Sequence, residues 1–106
     1  MQRYKLSDSG ARGWFIGDFP NAVFCTKDFE VTYQKNPRSQ TASHIHKLVH
    51  EITLVISGSQ ICNGEIFKAG DICILEPGDI SQIEYLEETE VVTIKTPSIP
   101  SDKYLL

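Results

Sequence analysis

The sequence predicts an all-β fold, a barrel or sandwich of short strands, and three observations carry that expectation. Runs rich in β-branched and aromatic residues recur about every 8 to 12 residues. Turn-forming residues separate them, above all Asn63-Gly64 and Pro77-Gly78-Asp79. Helix signals are nearly absent, because no window keeps apolar residues at i, i+3, i+4 and i+7 between recognisable caps.

Taken in order, Phe29 to Gln34 alternates apolar and polar residues as a half-buried strand does. Ile52 to Ile56 is a run of β-branched residues and Leu of strand length. Asn63-Gly64, set between Gln60-Ile61-Cys62 and Glu65-Ile66-Phe67, marks a hairpin, since a type I′ turn needs positive φ at both central residues. Asp71 to Leu75 reads as the next strand, and Ser81 to Leu86 and Val91 to Lys95 as two more. The segment from Pro97 to Leu106 is expected to be extended and to shield an edge strand. In residues 1–25, Trp14, Phe15, Phe19 and Phe24 are too many aromatics to leave in water and are expected in the core or at a dimer contact.

A chain of 106 residues has room for one domain, here 1–106, with a barrel at about 29–96 and both ends packed on it. The net charge of −4 argues against nucleic acid, which needs clustered Lys and Arg to displace counterions. No apolar leader and no stretch long enough to span a membrane is visible, so a cytoplasmic protein is expected. Cys25, Cys62 and Cys73 form no C-x-x-C unit and are expected to be reduced, buried thiols.

All three histidines fall within His44-Ile45-His46-Lys47-Leu48-Val49-His50, followed by Glu51. Residues two apart on a strand point the same way, so His44 and His46 share a face and can chelate one divalent ion. A turn then delivers a third ligand, either His50 or Glu51 but not easily both, because strand neighbours face opposite sides. Two His and a carboxylate suit Fe, Mn or Ni; three His lean toward Zn or Cu.

The stretch from His44 to Gly78 resembles the two sequence motifs of the cupin superfamily. The first reads HIHKLVHEITLVISG, with His44, His46, Glu51 and Gly58 at the family's spacing. The second reads GDICILEPGDIS, in which Gly70, Pro77 and Gly78 match and Ser81 stands where the family has its fourth ligand, a histidine. The resemblance covers about residues 40–96. It implies a double-stranded β-helix (jelly-roll) barrel, with His44, His46 and Glu51 as metal ligands and His50 as the fallback third. Gln82, beside the substituted Ser81, would reach the metal only if a bulge shifted the register.

Two functions from different classes follow from the resemblance. One is a metal-dependent dioxygenase or isomerase whose small-molecule substrate occupies the positions left free at Ser81. The other is a metal-free barrel that binds, epimerises or isomerises a sugar or sugar nucleotide, or binds a small ligand without catalysis. In the metal-free case Glu51 and a neighbouring histidine such as His50 would be the acid–base pair. Tyr33, Tyr85, Ser81 and Gln82 are the polar residues expected around the substrate. Small cupins usually pair, and a homodimer through an outer strand and the aromatic N-terminal segment is expected.

Overall fold

The computed structural model describes residues 1–106, the side chain of Ala11 apart. Along the chain run β1 (Trp14–Gly17), β2 (Phe24–Cys25), β3 (Glu30–Asn36), β4 (Ser39–Gln40) and β5 (His44–Ile45). They are followed by β6 (His50–Ser57), β7 (Ser59–Cys62), β8 (Glu65–Lys68) and β9 (Ile72–Leu75). Last come β10 (Ile80–Ser81), β11 (Ile83–Tyr85), β12 (Thr89–Thr96) and β13 (Tyr104–Leu105). Among the described residues no helix is long and apolar enough to cross a membrane.

The strands form a six-stranded sheet in the order β2-β1-β3-β12-β6-β9, a four-stranded sheet β4-β11-β7-β8, and a short sheet β10-β5-β13. Every pairing is antiparallel except β1 with β2. Strands far apart in sequence interleave, as in a jelly roll, and the all-β expectation holds. Asn63 (φ 50°) and Gly64 (φ 85°) make the β7–β8 hairpin with both central residues at positive φ. Gly58 (φ 83°) joins β6 to β7 where a Cβ would meet the Glu88 carbonyl oxygen at 2.4 Å and the Thr89 Cα at 2.8 Å. No other residue fits that approach.

The stretch from Ser81 to Leu86, expected as one strand, divides at Gln82 into the end of β10 and β11. Asn63 causes the break. Its side-chain oxygen accepts the Gln82 backbone N–H at 3.2 Å, and its own N–H donates to the Gln82 carbonyl at 3.1 Å. Both Gln82 main-chain groups are thereby taken up by the hairpin tip.

The side chains of the large sheet invert the usual rule of apolar inside and polar outside. Inward-facing residues line up in rungs across β3, β12 and β6: Glu30–Lys95–Glu51, then Thr32–Thr93–Thr53, then Gln34–Val91–Val55. The first rung is charged, the second carries hydroxyls with Thr53 Oγ1 and Thr93 Oγ1 3.0 Å apart, and the third is mostly apolar. On the opposite face, Leu54 pairs with Ile72 and Ile52 with Ile74, and Leu54, Ile72 and Ile74 are exposed. A polar interior of this kind lines a cavity rather than a packed core.

The terminal segments close the barrel. β1 pairs with β3, and β13 pairs with β5, so the C-terminal stretch covers an edge as expected. Trp14 and Phe19 line the interior cavity instead of an outer contact, while Phe24 is exposed. All three cysteines are free; Cys62 and Cys73 are buried and Cys25, against expectation, is exposed.

Candidate metal centre and cavity

His44, His46 and Glu51 converge, each offering one ligand atom, with those atoms all within 4.8 Å of one another. β5 ends at Ile45 and β6 begins at His50, so the intervening turn swings Glu51 back under the two imidazoles. The rings of His44 and His46 stand edge to face, 4.9 Å between centroids.

Each histidine is oriented by its second nitrogen. His46 Nδ1 makes a short hydrogen bond to the Asp102 backbone carbonyl, and His44 Nδ1 lies 3.3 Å from the Ala42 carbonyl. With Nδ1 as donor in both, each neutral ring presents its Nε2 lone pair to the centre. His46 Nε2 and Glu51 Oε2 are 3.0 Å apart and buried, and neither has a third protein group to hydrogen-bond. Two ligands in adjacent positions about 2.1 Å from one ion sit roughly 3 Å apart, so this pair fits a divalent metal.

The electrostatics agree with that use. Burial lowers the His44 pKa, against the pull of the Ala42 carbonyl, and keeps the ring neutral. Burial pushes the Glu51 carboxyl up, but His46, Lys95 and His44 around it more than offset this and hold it below the usual range. A neutral His44 and an ionised Glu51 are the protonation states a metal requires of them.

The other sequence-derived site residues lie elsewhere. His50 is exposed on the face opposite Glu51, as strand alternation demands, and takes no part in the cluster. Gln82 is exposed and lines a separate surface groove with Asn63 and Glu84, so it does not reach the histidines. Tyr33 points out of the barrel, its hydroxyl donating to Glu90; its neighbours Thr32 and Gln34 line the cavity in its place. Ser81 pairs with His44 across β10 and β5, fully buried and with its Oγ unpartnered, but it does not line the cavity.

The cavity measures about 610 Å³ and is lined by His44, Glu51 and Tyr85 together with residues the sequence did not single out. Gln60 is the clearest of these, 1% exposed, with both amide atoms lacking a partner. Arg12, Lys95 and Lys103 add positive charge, with Lys95 Nζ 4.7 Å from the centre of the Trp14 ring. Asp102 is likewise new. Its buried carboxylate accepts the backbone N–H groups of Lys47, Leu48 and Val49 at 2.9–3.0 Å.

No family model and no curated protein sequence matches the chain significantly. Solved structures do. A conserved protein with a double-stranded β-helix domain from Klebsiella pneumoniae superposes with a TM-score of 0.70 at 23% identity, covering 98% of this chain and 90% of that one. A cupin protein from Bacteroides fragilis gives a TM-score of 0.59 at 24% identity, over 68% of each chain. The chain has the cupin fold. The nucleoside dehydratase Pac13 of Streptomyces shares that cupin fold too, with a TM-score of 0.72 at 16% identity, over 100% of this chain and 91% of that one. At these identities the likeness is one of fold, and the chemistry of this cupin barrel has to be argued from its own residues.

Proposed function

We propose that the protein is a small metal-binding cupin that holds one divalent transition ion (Fe, Mn, Ni, Zn or Cu) through His44, His46 and Glu51, and acts on a small molecule in the adjoining cavity. The observation that carries this is the buried pair of His46 Nε2 and Glu51 Oε2, 3.0 Å apart, which converges with His44 and has no other protein partner. A buried carboxylate facing imidazole lone pairs is costly, and a shared cation removes the cost. Such an ion supplies Lewis acidity toward a ligand oxygen. The chain's own residues do the rest: Asp102 and Ala42 fix the two imidazoles, and Tyr85 and the threonine rung border the ligand. With Ser81 in the fourth position, the ion keeps open sites for substrate, as a dioxygenase or isomerase needs.

The test is metal content by mass spectrometry on tag-free protein beside a His44→Ala, His46→Ala double variant. About one equivalent that vanishes in the variant supports the reading and directs assays to O₂ consumption and isomerisation. No metal in either sample, even after incubation with divalent ions, overturns it.

Ser81 favours a second reading, a metal-free barrel in which His46 and Glu51 share a proton and act as acid and base on a sugar or nucleoside. Pac13, which shares the fold, is a nucleoside dehydratase, and variants of it have been solved with uridine. A uridine or sugar-nucleotide shift of the Tyr85 resonances in metal-free protein would favour this alternative.

The partner we assign is a second copy of the chain. The exposed Leu54, Ile72 and Ile74 on the outer face support a homodimer through the β6–β9 edge, the outer-strand part of the contact expected from sequence.

A further inference from the structure

The charge of the cavity opposes that of the chain. The protein carries a net −4, yet its cavity gathers Arg12, Lys95 and Lys103 against the two carboxylates of Glu30 and Glu51. Both carboxylates are engaged. Glu30 Oε2 accepts the Ser98 hydroxyl at 2.9 Å, with Lys95 Nζ 3.8 Å from its Oε1, and Glu51 faces His46. Arg12 and Lys103 have no carboxylate partner among the described residues.

Neither cation is placed by chance of a loose loop. The Arg12 backbone carbonyl accepts hydrogen bonds from Thr32 Oγ1 at 2.8 Å and Gln34 Nε2 at 3.1 Å, both from residues that also line the cavity, which pins the Arg12 main chain at its rim. Lys103 follows Asp102, whose carboxylate is clamped on the backbone of residues 47–49. Partial burial first, then the neighbouring Arg12 and Lys95, lower the Lys103 pKa, with Glu51 opposing them. A divalent ion at His44, His46 and Glu51 would add further positive charge. Holding these cations together without a counter-anion is unfavourable, and an entering anion relieves it.

We propose that the ligand of this cavity is a small oxyanion, a carboxylate or a phosphate, whose charged group sits between Arg12 and Lys103 beside the metal centre. This deepens the metal-binding reading by naming the class of substrate, and it rests on that reading only for what lies next to the anion. Lys95, stacked on Trp14 and tied to Glu30, forms the wall behind it.

The test is an NMR titration at low salt with succinate, inorganic phosphate and the uncharged succinamide, on chelator-treated and Zn-loaded protein in parallel. Succinate or phosphate should saturate wild-type protein while succinamide does not, and whichever of the two binds more tightly identifies the source of the oxyanion. An Arg12→Gln, Lys103→Gln double variant should bind about ten-fold more weakly or worse, since two charge-assisted hydrogen bonds are removed. Both side chains are exposed, so the variant should fold with a Tm no lower than that of wild type. Equal binding of succinamide, unchanged anion affinity in the double variant, or no saturation by either anion would overturn the proposal. Zinc uptake without anion binding would sink this inference alone, and anion binding without metal uptake would sink the metal centre alone.

Discussion

Asp102 holds His46 from 56 residues away, its backbone carbonyl taking the imidazole Nδ1 proton while its carboxylate caps three successive N–H groups of the turn that follows. The two contacts act on the same few residues from opposite sides, so the turn and the imidazole cannot move independently. Burial alone would raise the Asp102 carboxyl pKa, but the N–H groups of Leu48, Lys47 and Val49 bring it below its ordinary value. Asp102→Ala should therefore cost about 2–4 kcal/mol in urea unfolding, the usual range for losing charge-assisted hydrogen bonds from a buried site. Zinc affinity should fall about 10- to 100-fold, the size of effect seen when a ligand loses its orienting partner. Asp102→Asn, which keeps one acceptor oxygen, should recover part of both. Wild-type zinc affinity in the Ala variant would show that His46 is oriented without it.

Gln60 makes the opposite prediction. Its amide is buried with neither atom partnered, a state that stabilises nothing. Gln60→Leu, of similar shape, should leave the protein as stable or about 1 kcal/mol more stable. A loss of more than that in denaturant midpoint would mean that the amide is satisfied by a bound water.

Acid should weaken the metal-free protein. The folded-state pKa of His44 lies below its ordinary value of 6.5, so the unfolded chain binds the proton more readily than the native one. That contribution is harmless above 6.5 and turns increasingly unfavourable as pH falls below it, until the folded-state pKa is passed. The Tm of chelator-treated wild type should drop between pH 7 and pH 5 by more than that of His44→Ala. Parallel curves would remove His44 as the cause.

The outer face of β6 and β9 should hold two copies together. Light scattering should give twice the 11.9 kDa chain mass for wild type, and Ile72→Lys with Ile74→Lys should return it to one chain. Because both side chains are more than half exposed in the single chain, the variant should fold normally. A wild-type mass of one chain would retire the dimer.

Much of this was legible in the sequence because it is local. The Asn63-Gly64 turn needs only its own dihedrals, and the spacing from His44 to Glu51 needs only strand alternation and one turn. What alternation cannot say is which face is inside. The usual rule would put Ile52, Leu54 and Ile56 inward, whereas Glu51, Thr53 and Val55 point in, and the same inversion on β3 turned Tyr33 outward. Gln60, Lys95 and Arg12 were missed because a buried polar side chain looks like a surface one until the opposing sheet is present. Asp102 was missed because its partners lie half a chain away. Gln82 sits at a break set by Asn63, a contact no period records.

The pairing of β13 with β5 also sets an order of assembly. His44 and His46 emerge from the ribosome well before Asp102, Tyr104 and Leu105, which anchor and flank them. While synthesis is under way, the two imidazoles hang on a short strand that lacks one of its neighbours, and Glu51 has no fixed ring to face. The geometry that brings His46 toward Glu51 is therefore completed by some of the last residues of the chain, and truncating them should loosen it.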